Sequence, residues 1–192
     1  LNFITRVRNH KWVGHYRTRG ESVSAEFAGR CADQWMESLS PEAEVNDYSS
    51  LATKHGYDFE VLQPDKPCRT YLVVDQQTNE AILIDPVREE VDSYLDIISE
   101  RNLKLKYTVE THTHADHLSG SVRLKETTGA KMLMHRNSPA PCVDQHLDDG
   151  DKIQIGRTTF DVIASPGHTK DSMCLLLPDR IFTGDTLLIG VC

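Results

Sequence analysis

From about Tyr57 onward, short apolar runs alternate with polar, turn-forming stretches, and the spacing inside each run separates strands from helices. Leu105, Tyr107 and Val109 alternate with polar neighbours, as in a strand with one buried face. Thr70–Asp75 (TYLVVD) and Ala81–Asp85 (AILID) are continuous apolar runs joined by the polar turn Gln76 to Glu80, and both are expected to be strands. Lys131–His135, Lys152–Ile155 and Thr159–Ala164 have the same character. Cys174–Leu177 and Arg180–Thr183 suggest a hairpin around Pro178-Asp179, and Asp148–Asp151 a turn. Val91, Tyr94, Leu95 and Ile98 fall at i, i+3, i+4 and i+7, the apolar stripe of an amphipathic helix. Leu118 to Thr127 is a second expected helix, stopped by Gly129. Strands with interspersed helices imply an α/β fold.

The pattern changes near residue 50. Upstream, Glu21 to Leu39 is expected to be helical, with Val23, Phe27, Cys31 and Trp35 repeating every four residues, and Pro41 marks its end. An acidic connector, Pro41 to Ser50, follows. The chain is therefore divided into an N-terminal helical extension, residues 1–50, and a domain spanning residues 51–192. The extension carries no recognisable chemistry and reads as a docking or dimerisation element, compatible with a homodimer. Its first twenty residues hold Arg6, Arg8, Lys11, Arg17 and Arg19 and no acid. They are read as a basic surface arm, with a remnant of an organellar transit peptide as the alternative.

Composition narrows the function classes. The chain has 192 residues, 39% of them hydrophobic, and a formal net charge of −8. That charge argues against nucleic acid as a partner. No apolar run approaches the ~20 residues needed to span a bilayer, so no membrane segment is expected. The five cysteines (Cys31, Cys68, Cys142, Cys174 and Cys192) are scattered and contain no CxxC pair, the usage of a reducing compartment. Cys174 lies in an expected strand and Cys142 in a loop. Asp148, Asp149 and Asp151 lack the spacing of a calcium loop and read as a solvated turn.

The strand ending at Val109 delivers the chain into Glu110-Thr111-His112-Thr113-His114-Ala115-Asp116-His117. In extended chain, residues two apart face the same way, so His112 and His114 can point together while Asp116 and His117 follow as the chain turns. Imidazole and carboxylate suit borderline divalent metals such as zinc or iron. Crowding three histidines and an acid together gains little without a metal. Two further candidates sit at strand ends, His168 in Ser165-Pro166-Gly167-His168-Thr169 and Asp185 in Thr183-Gly184-Asp185. Loops carried on a rigid scaffold commonly present functional groups in this way. His10, His15, His55, His135 and His146 are isolated and read as ordinary surface or core histidines.

These three motifs resemble the metal motifs of the metallo-β-lactamase superfamily. Within it, the stretches Thr70-Tyr71-Leu72, Ala81 to Val87, His114-Ala115-Asp116-His117 and Gly184 to Ile189 resemble the persulfide dioxygenases (ethylmalonic encephalopathy protein type) more than the glyoxalase II hydrolases. The resemblance runs from about Glu60 to Cys192. It implies an αββα four-layer sandwich and a single Fe(II) held by His112, His168 and Asp185. Two histidines and one carboxylate on one face of a metal leave three positions open, as non-haem iron oxygenases require. His114, Asp116 and His117 would then orient the ligands and tune the metal, with His114 also a potential ligand. The implied activity is oxidation of glutathione persulfide, or a similar thiol persulfide, by O2 to sulfite and free thiol, in a mitochondrial matrix or bacterial cytoplasm.

Two alternatives use the same sequence. In a glyoxalase II-like hydrolase, His112, His114 and His168 would hold one Zn(II), Asp116 and His117 would contribute to a second, and Asp185 would bridge them. A metal-bound hydroxide would then attack a thioester. The other alternative is a non-catalytic metal-binding or interaction module. The resembled proteins continue past Gly-Asp-x-Leu-Leu with further strands and helices, so the sequence is read as truncated at its C-terminus relative to them. That reading expects a second zinc site to lack a ligand and an apolar sheet face to lie open. Cys192 aligns with a cysteine near the iron of the resembled family.

Overall fold

The computed structural model describes residues 55–62 and 69–187. The expected helix at Glu21–Leu39, the basic arm, the acidic connector, Cys31, Cys68 and the stretch from Leu188 to Cys192 all lie outside the described residues.

The strands are β1 (Tyr57–Leu62), β2 (Thr70–Asp75), β3 (Glu80–Ile84), β4 (Lys104–Val109), β5 (Lys131–His135), β6 (Gln145–Leu147), β7 (Lys152–Ile155), β8 (Thr158–Ala164), β9 (Met173–Leu177) and β10 (Arg180–Phe182). Helix α1 (Val91–Glu100) connects β3 to β4, and α2 (Ser121–Thr128) lies between β4 and β5. The strands form two sheets, one ordered β1-β2-β3-β4-β5-β6 and the other β10-β9-β8-β7. β1, β2 and β3 pair antiparallel, whereas β3 to β6 pair parallel. Parallel neighbours need a crossover connection; α1 supplies it between β3 and β4 and α2 between β4 and β5, while a non-helical segment leads from β5 to β6. The second sheet is antiparallel throughout.

Alternation along β2 and β3 explains why these strands are apolar at nearly every position. Tyr71, Val73, Ile82 and Ile84 point into the core between the sheets, where they join Phe160, Val162, Leu175 and Phe182 of the second sheet. Leu72, Val74, Ala81 and Leu83 point the other way, against Val91 and Tyr94 of α1 and Leu124 of α2. A strand covered on both faces loses the polar half of its period. The second sheet alternates in burial because one face is less covered: in β7, Ile153 and Ile155 are buried while Lys152 and Gln154 are exposed. Ile163, Leu176 and Ile181 on that outer face are half-buried. Helix, sheet and sheet are three of the layers of an αββα sandwich. No helix covers the outer face of the second sheet among the described residues.

The structure moves some element boundaries. β6 has the sequence QHL, which carries no apolar run and was not anticipated. α2 starts at Ser121 rather than Leu118, because Ser119 forms an antiparallel bridge with Val87 and Gly120 N–H donates to Pro86 O at 2.6 Å. A Cβ on Gly120 would lie 2.8 Å from Val91 Cγ2, so the close packing of this entry segment on α1 requires glycine. No described helix is long and apolar enough to cross a membrane.

Candidate metal centre

Both sheets direct their loops to one end of the sandwich. In the first sheet the carboxyl ends of the parallel strands β3 and β4 lie side by side, and Asp85 N–H continues their pairing by donating to Val109 O at 2.8 Å. Asp85 and the Glu110–His117 loop therefore emerge together, at the edge where open α/β sheets place their ligands. In the second sheet Ala164 pairs with Met173 and Phe182 with Leu175, so the β8–β9 loop and the end of β10 emerge at a common edge. The first loop carries His168 and the second leads into Asp185.

His112, His168 and Asp185 converge there. Their nearest ligand atoms all lie within 4.8 Å of one another. Asp185 Oδ2 is 3.9 Å from His112 Nε2 and 3.6 Å from His168 Nε2. Donors sharing one transition metal at bonds of about 2.0–2.2 Å stand about 3–3.5 Å apart, so small side-chain rotations bring this set into range. The set is graded in exposure. His112 is buried, Asp185 is intermediate and His168 is exposed, which leaves the His168 side open to small molecules. Burial, and then the neighbouring His114, hold His112 below the usual histidine value. It is therefore neutral and keeps a lone pair for a metal.

His114 is placed differently. Its Nε2 stands 3.2 Å from Asp85 Oδ1 and 3.3 Å from Glu110 Oε2, both carboxylates being buried. Burial opposes a charge on this ring, but the hydrogen bond to Asp85 and the facing Glu110 carboxylate outweigh it and push His114 up to about 11. Asp85 sits at φ 52, a left-handed conformation that aspartate tolerates better than most side chains. Its carboxylate also accepts from Thr111 N at 2.6 Å and Thr111 Oγ1 at 2.8 Å. Glu110 additionally accepts from the hydroxyls of Ser119 and Ser121.

His114, Asp116 and His117 form a second ligand group, and Asp85, Glu110 and His114 a third. In the second group His117 Nδ1 lies 3.1 Å, and His114 Nδ1 3.9 Å, from Asp116 Oδ1. The six predicted site residues thus all lie at one end of the sandwich, in two adjoining groups. His55, His135 and His146 join none of these groups among the described residues.

Sequence reading missed Asp85 and Glu110 as partners of His114. Asp85 closes the expected strand Ala81–Asp85. The available signal was an acid closing each of two adjacent apolar strands just before the histidine loop. Two further contacts are not legible in the sequence. Thr113 Oγ1 donates to Asp171 Oδ2 at 2.6 Å, and Ser165 Oγ lies 2.8 Å from Thr186 Oγ1. Burial raises the Asp171 carboxyl, but hydrogen bonds from Thr113 and Thr169 outweigh it and hold the group below its ordinary value. Cys174 is buried, which pushes its thiol up to about 11 and leaves it inert. Cys142 is exposed, as its loop position implied.

A sequence profile for the metallo-β-lactamase superfamily matches residues 64–192. The chain belongs to this superfamily. Among superfamily members, the mitochondrial persulfide dioxygenase ETHE1 of Homo sapiens is 41% identical over 136 residues, covering 69% of this chain and 53% of that protein. The hydroxyacylglutathione hydrolase of Pseudoalteromonas translucida is 35% identical over 123 residues, covering 64% of this chain and 47% of that one. The crystal structure of ETHE1 from Myxococcus xanthus superposes with a TM-score of 0.65 at 42% identity, covering 68% of this chain and 58% of that one. A Staphylococcus aureus metallo-β-lactamase superposes with a TM-score of 0.64 at 27% identity, covering 70% and 45%. The chain spans about half the length of the curated relatives it matches. The two-sheet superfamily architecture accounts for the shared edge on which the ligand groups lie.

Proposed function

We propose that this protein is a non-haem Fe(II) persulfide dioxygenase of the metallo-β-lactamase superfamily. The observation that carries the reading is the convergence of His112, His168 and Asp185, with Asp185 Oδ2 standing 3.9 Å from His112 Nε2 and 3.6 Å from His168 Nε2. Two imidazoles and one carboxylate fit a single divalent iron and leave coordination positions for two small reactants. The match to the persulfide dioxygenase, 41% identity over 136 residues against 35% over 123 for the hydrolase, is both longer and higher and supports the same choice.

Bound Fe(II) would supply the one-electron chemistry that lets triplet O2 react with a persulfide sulfur. The net reaction is RSSH + O2 + H2O giving RSH, sulfite and two protons, with the outer sulfur losing four electrons to O2. The chain's own residues fix the geometry. His112 is held neutral in a buried position, and Asp185 provides the negative charge. His168, on the exposed side, leaves the approach open to a thiol persulfide such as glutathione persulfide. Asp85 and Glu110 fix the His114 ring beside His112, with ring centroids 4.1 Å apart. Asp116 and His117 stand on the other side of His114, as groups that would orient it and tune the metal. A mitochondrial matrix or bacterial cytoplasm belongs to the same reading, as does a homodimer through residues 1–50.

One observation favours a second reading. His114, Asp116 and His117 lie close enough to hold another cation, as a dizinc thioester hydrolase of the glyoxalase II type would need. Metal analysis combined with an oxygen electrode separates the two. One iron per chain and O2 uptake with glutathione persulfide are expected. Two zincs with thioester hydrolysis and no O2 uptake would replace the dioxygenase by the hydrolase. Neither metal nor turnover would leave a non-catalytic module.

A further inference from the structure

We infer that Asp171 is a positioning residue that ties the two histidine-bearing loops together and thereby sets the metal affinity of the centre. The inference rests on His112, His168 and Asp185 being the ligands, but not on the reaction they support.

The ligands arise from separate segments that meet through short contacts. The His112 loop and the Asp185 turn touch at Thr111 and Gly184, where any side chain at 184 would collide. The His168 loop and the Asp185 turn are joined by the Ser165 and Thr186 hydroxyls at 2.8 Å. Between the His112 loop and the His168 loop, the side-chain bond is Thr113 Oγ1 to Asp171 Oδ2 at 2.6 Å. Thr113 stands between His112 and His114 in sequence, and Asp171 stands three residues beyond His168. Asp171 is 4% exposed whereas Thr113 is exposed, so the bond is part-buried, with its acceptor on the inner side. A hydrogen bond to a carboxylate is about twice as strong as one between neutral groups.

The His168 loop is otherwise closed mainly upon itself. Ser165 N–H donates to Ser172 O at 2.8 Å across its neck, and Gly167 N–H to Thr169 O at 3.0 Å. Thr169 N–H donates to Ser172 Oγ at 3.1 Å. These bonds give the loop a shape but do not orient it toward His112. Met173 N–H, donating to Thr111 O at 2.9 Å, anchors the start of β9 beyond the loop. Loss of the Asp171 carboxylate should therefore leave the fold standing and free the His168 loop to move relative to His112.

The test uses Co(II) as the probe, read by its d–d absorption in a titration of the metal-free full chain, with thermal unfolding of the metal-free protein as control. Asp171→Ala is expected to weaken Co(II) binding about 10–100-fold, the usual effect of removing a group that orients a ligand. The unfolding temperature of the metal-free protein should stay close to that of the parent. Asp171→Asn keeps an oxygen that can accept from Thr113, so it should bind within about threefold of the parent, since only the charge assistance is lost. Thr113→Val should weaken binding in the same direction as Asp171→Ala but by no more, since Asp171 also accepts from Thr169, and the double variant should be no worse than Asp171→Ala alone, where the Thr113 bond is already lost. Parent-like Co(II) binding by Asp171→Ala would overturn the inference. So would additive losses in the double variant, or Asp171→Asn binding as poorly as Asp171→Ala, which would assign the effect to charge. Co(II) binding involves neither O2 nor persulfide. A parent that binds Co(II) but shows no O2 uptake would refute the dioxygenase and leave the tether standing.

Discussion

Gly184 approaches Thr111 so closely that a Cβ at position 184 would lie 2.3 Å from Thr111 Oγ1 and 3.3 Å from His112 Nδ1. The residue also sits at φ 48. Both conditions require glycine, and both place Asp185 next to His112. Gly184→Ala should cost about 1–2 kcal/mol for the left-handed backbone alone, with the collision added to it. It should also push Asp185 away from the two histidines. A calorimetric scan and a metal titration of the variant should both show the loss. Unchanged metal affinity would mean that the Asp185 turn adjusts freely.

His112 and His114 are neighbours with opposite expected phenotypes. His112→Ala removes a proposed ligand and should abolish iron retention while the fold survives. His114→Ala removes the group facing two buried carboxylates, Asp85 and Glu110. Leaving a buried charge uncompensated costs about 3–5 kcal/mol, so this variant should unfold much earlier and hold iron more weakly rather than not at all. Equal loss of iron from both, at unchanged stability, would contradict the assignment.

At the far end of the sandwich Asp75 joins the two sheets. Its carboxylate accepts from Thr78 N and Oγ1 on its own sheet, and from Arg157 N and Thr158 Oγ1 on the other. Burial raises its pKa, but the hydrogen bonds outweigh that and hold it below the ordinary aspartate value. The stabilisation is therefore complete above about pH 4, where the unfolded-state carboxyl is ionised, and is lost as pH falls through the lowered folded-state value. Asp75→Asn should be less stable than the parent at pH 7. Its unfolding temperature should also decline less between about pH 4 and pH 2. Parallel acid profiles for the two proteins would show that Asp75 does not carry this dependence.

Phe182 links the core to the site. Its ring lies 5.2 Å from Tyr71, 5.8 Å from Phe59 and 6.2 Å from Phe160, measured between centroids. Phe182→Ala should cost about 3–5 kcal/mol in denaturant unfolding, as buried aromatic truncations do. Because Asp185 follows three residues later, metal affinity should fall as well. Phe160→Ala, buried in the same core but remote in sequence from the ligands, should lose stability with a smaller effect on metal.

The strands buried on both faces were the most legible elements. Thr70–Asp75 and Lys131–His135 appear with the predicted bounds because each has a continuous apolar centre that is buried, between polar ends. Gln145–Leu147 was not legible, since two of its three residues are exposed and only Leu147 reaches the core. The histidine cluster, His168 and Asp185 were readable because metal-ligand residue types concentrate at strand ends. The partners Asp85, Glu110 and Asp171 were not. A buried acid has the same letter as a solvated one, and its role depends on which donor another part of the chain brings to it. Asp171 lies 58 positions from Thr113, a separation across which local patterning carries no information.

The donors proposed for iron come from loops on both sheets, His112 from the first and His168 and Asp185 from the second. A bound ion would therefore act as a cross-link between two β-layers, closing the sandwich at the end opposite the Asp75 junction. In the unfolded chain these side chains are scattered, so binding favours the assembled form alone. Each tenfold rise in free metal above the dissociation constant should then add about 1.4 kcal/mol to the resistance of the whole sandwich to unfolding. Chelation should be felt as a loosening between the layers before any strand is lost.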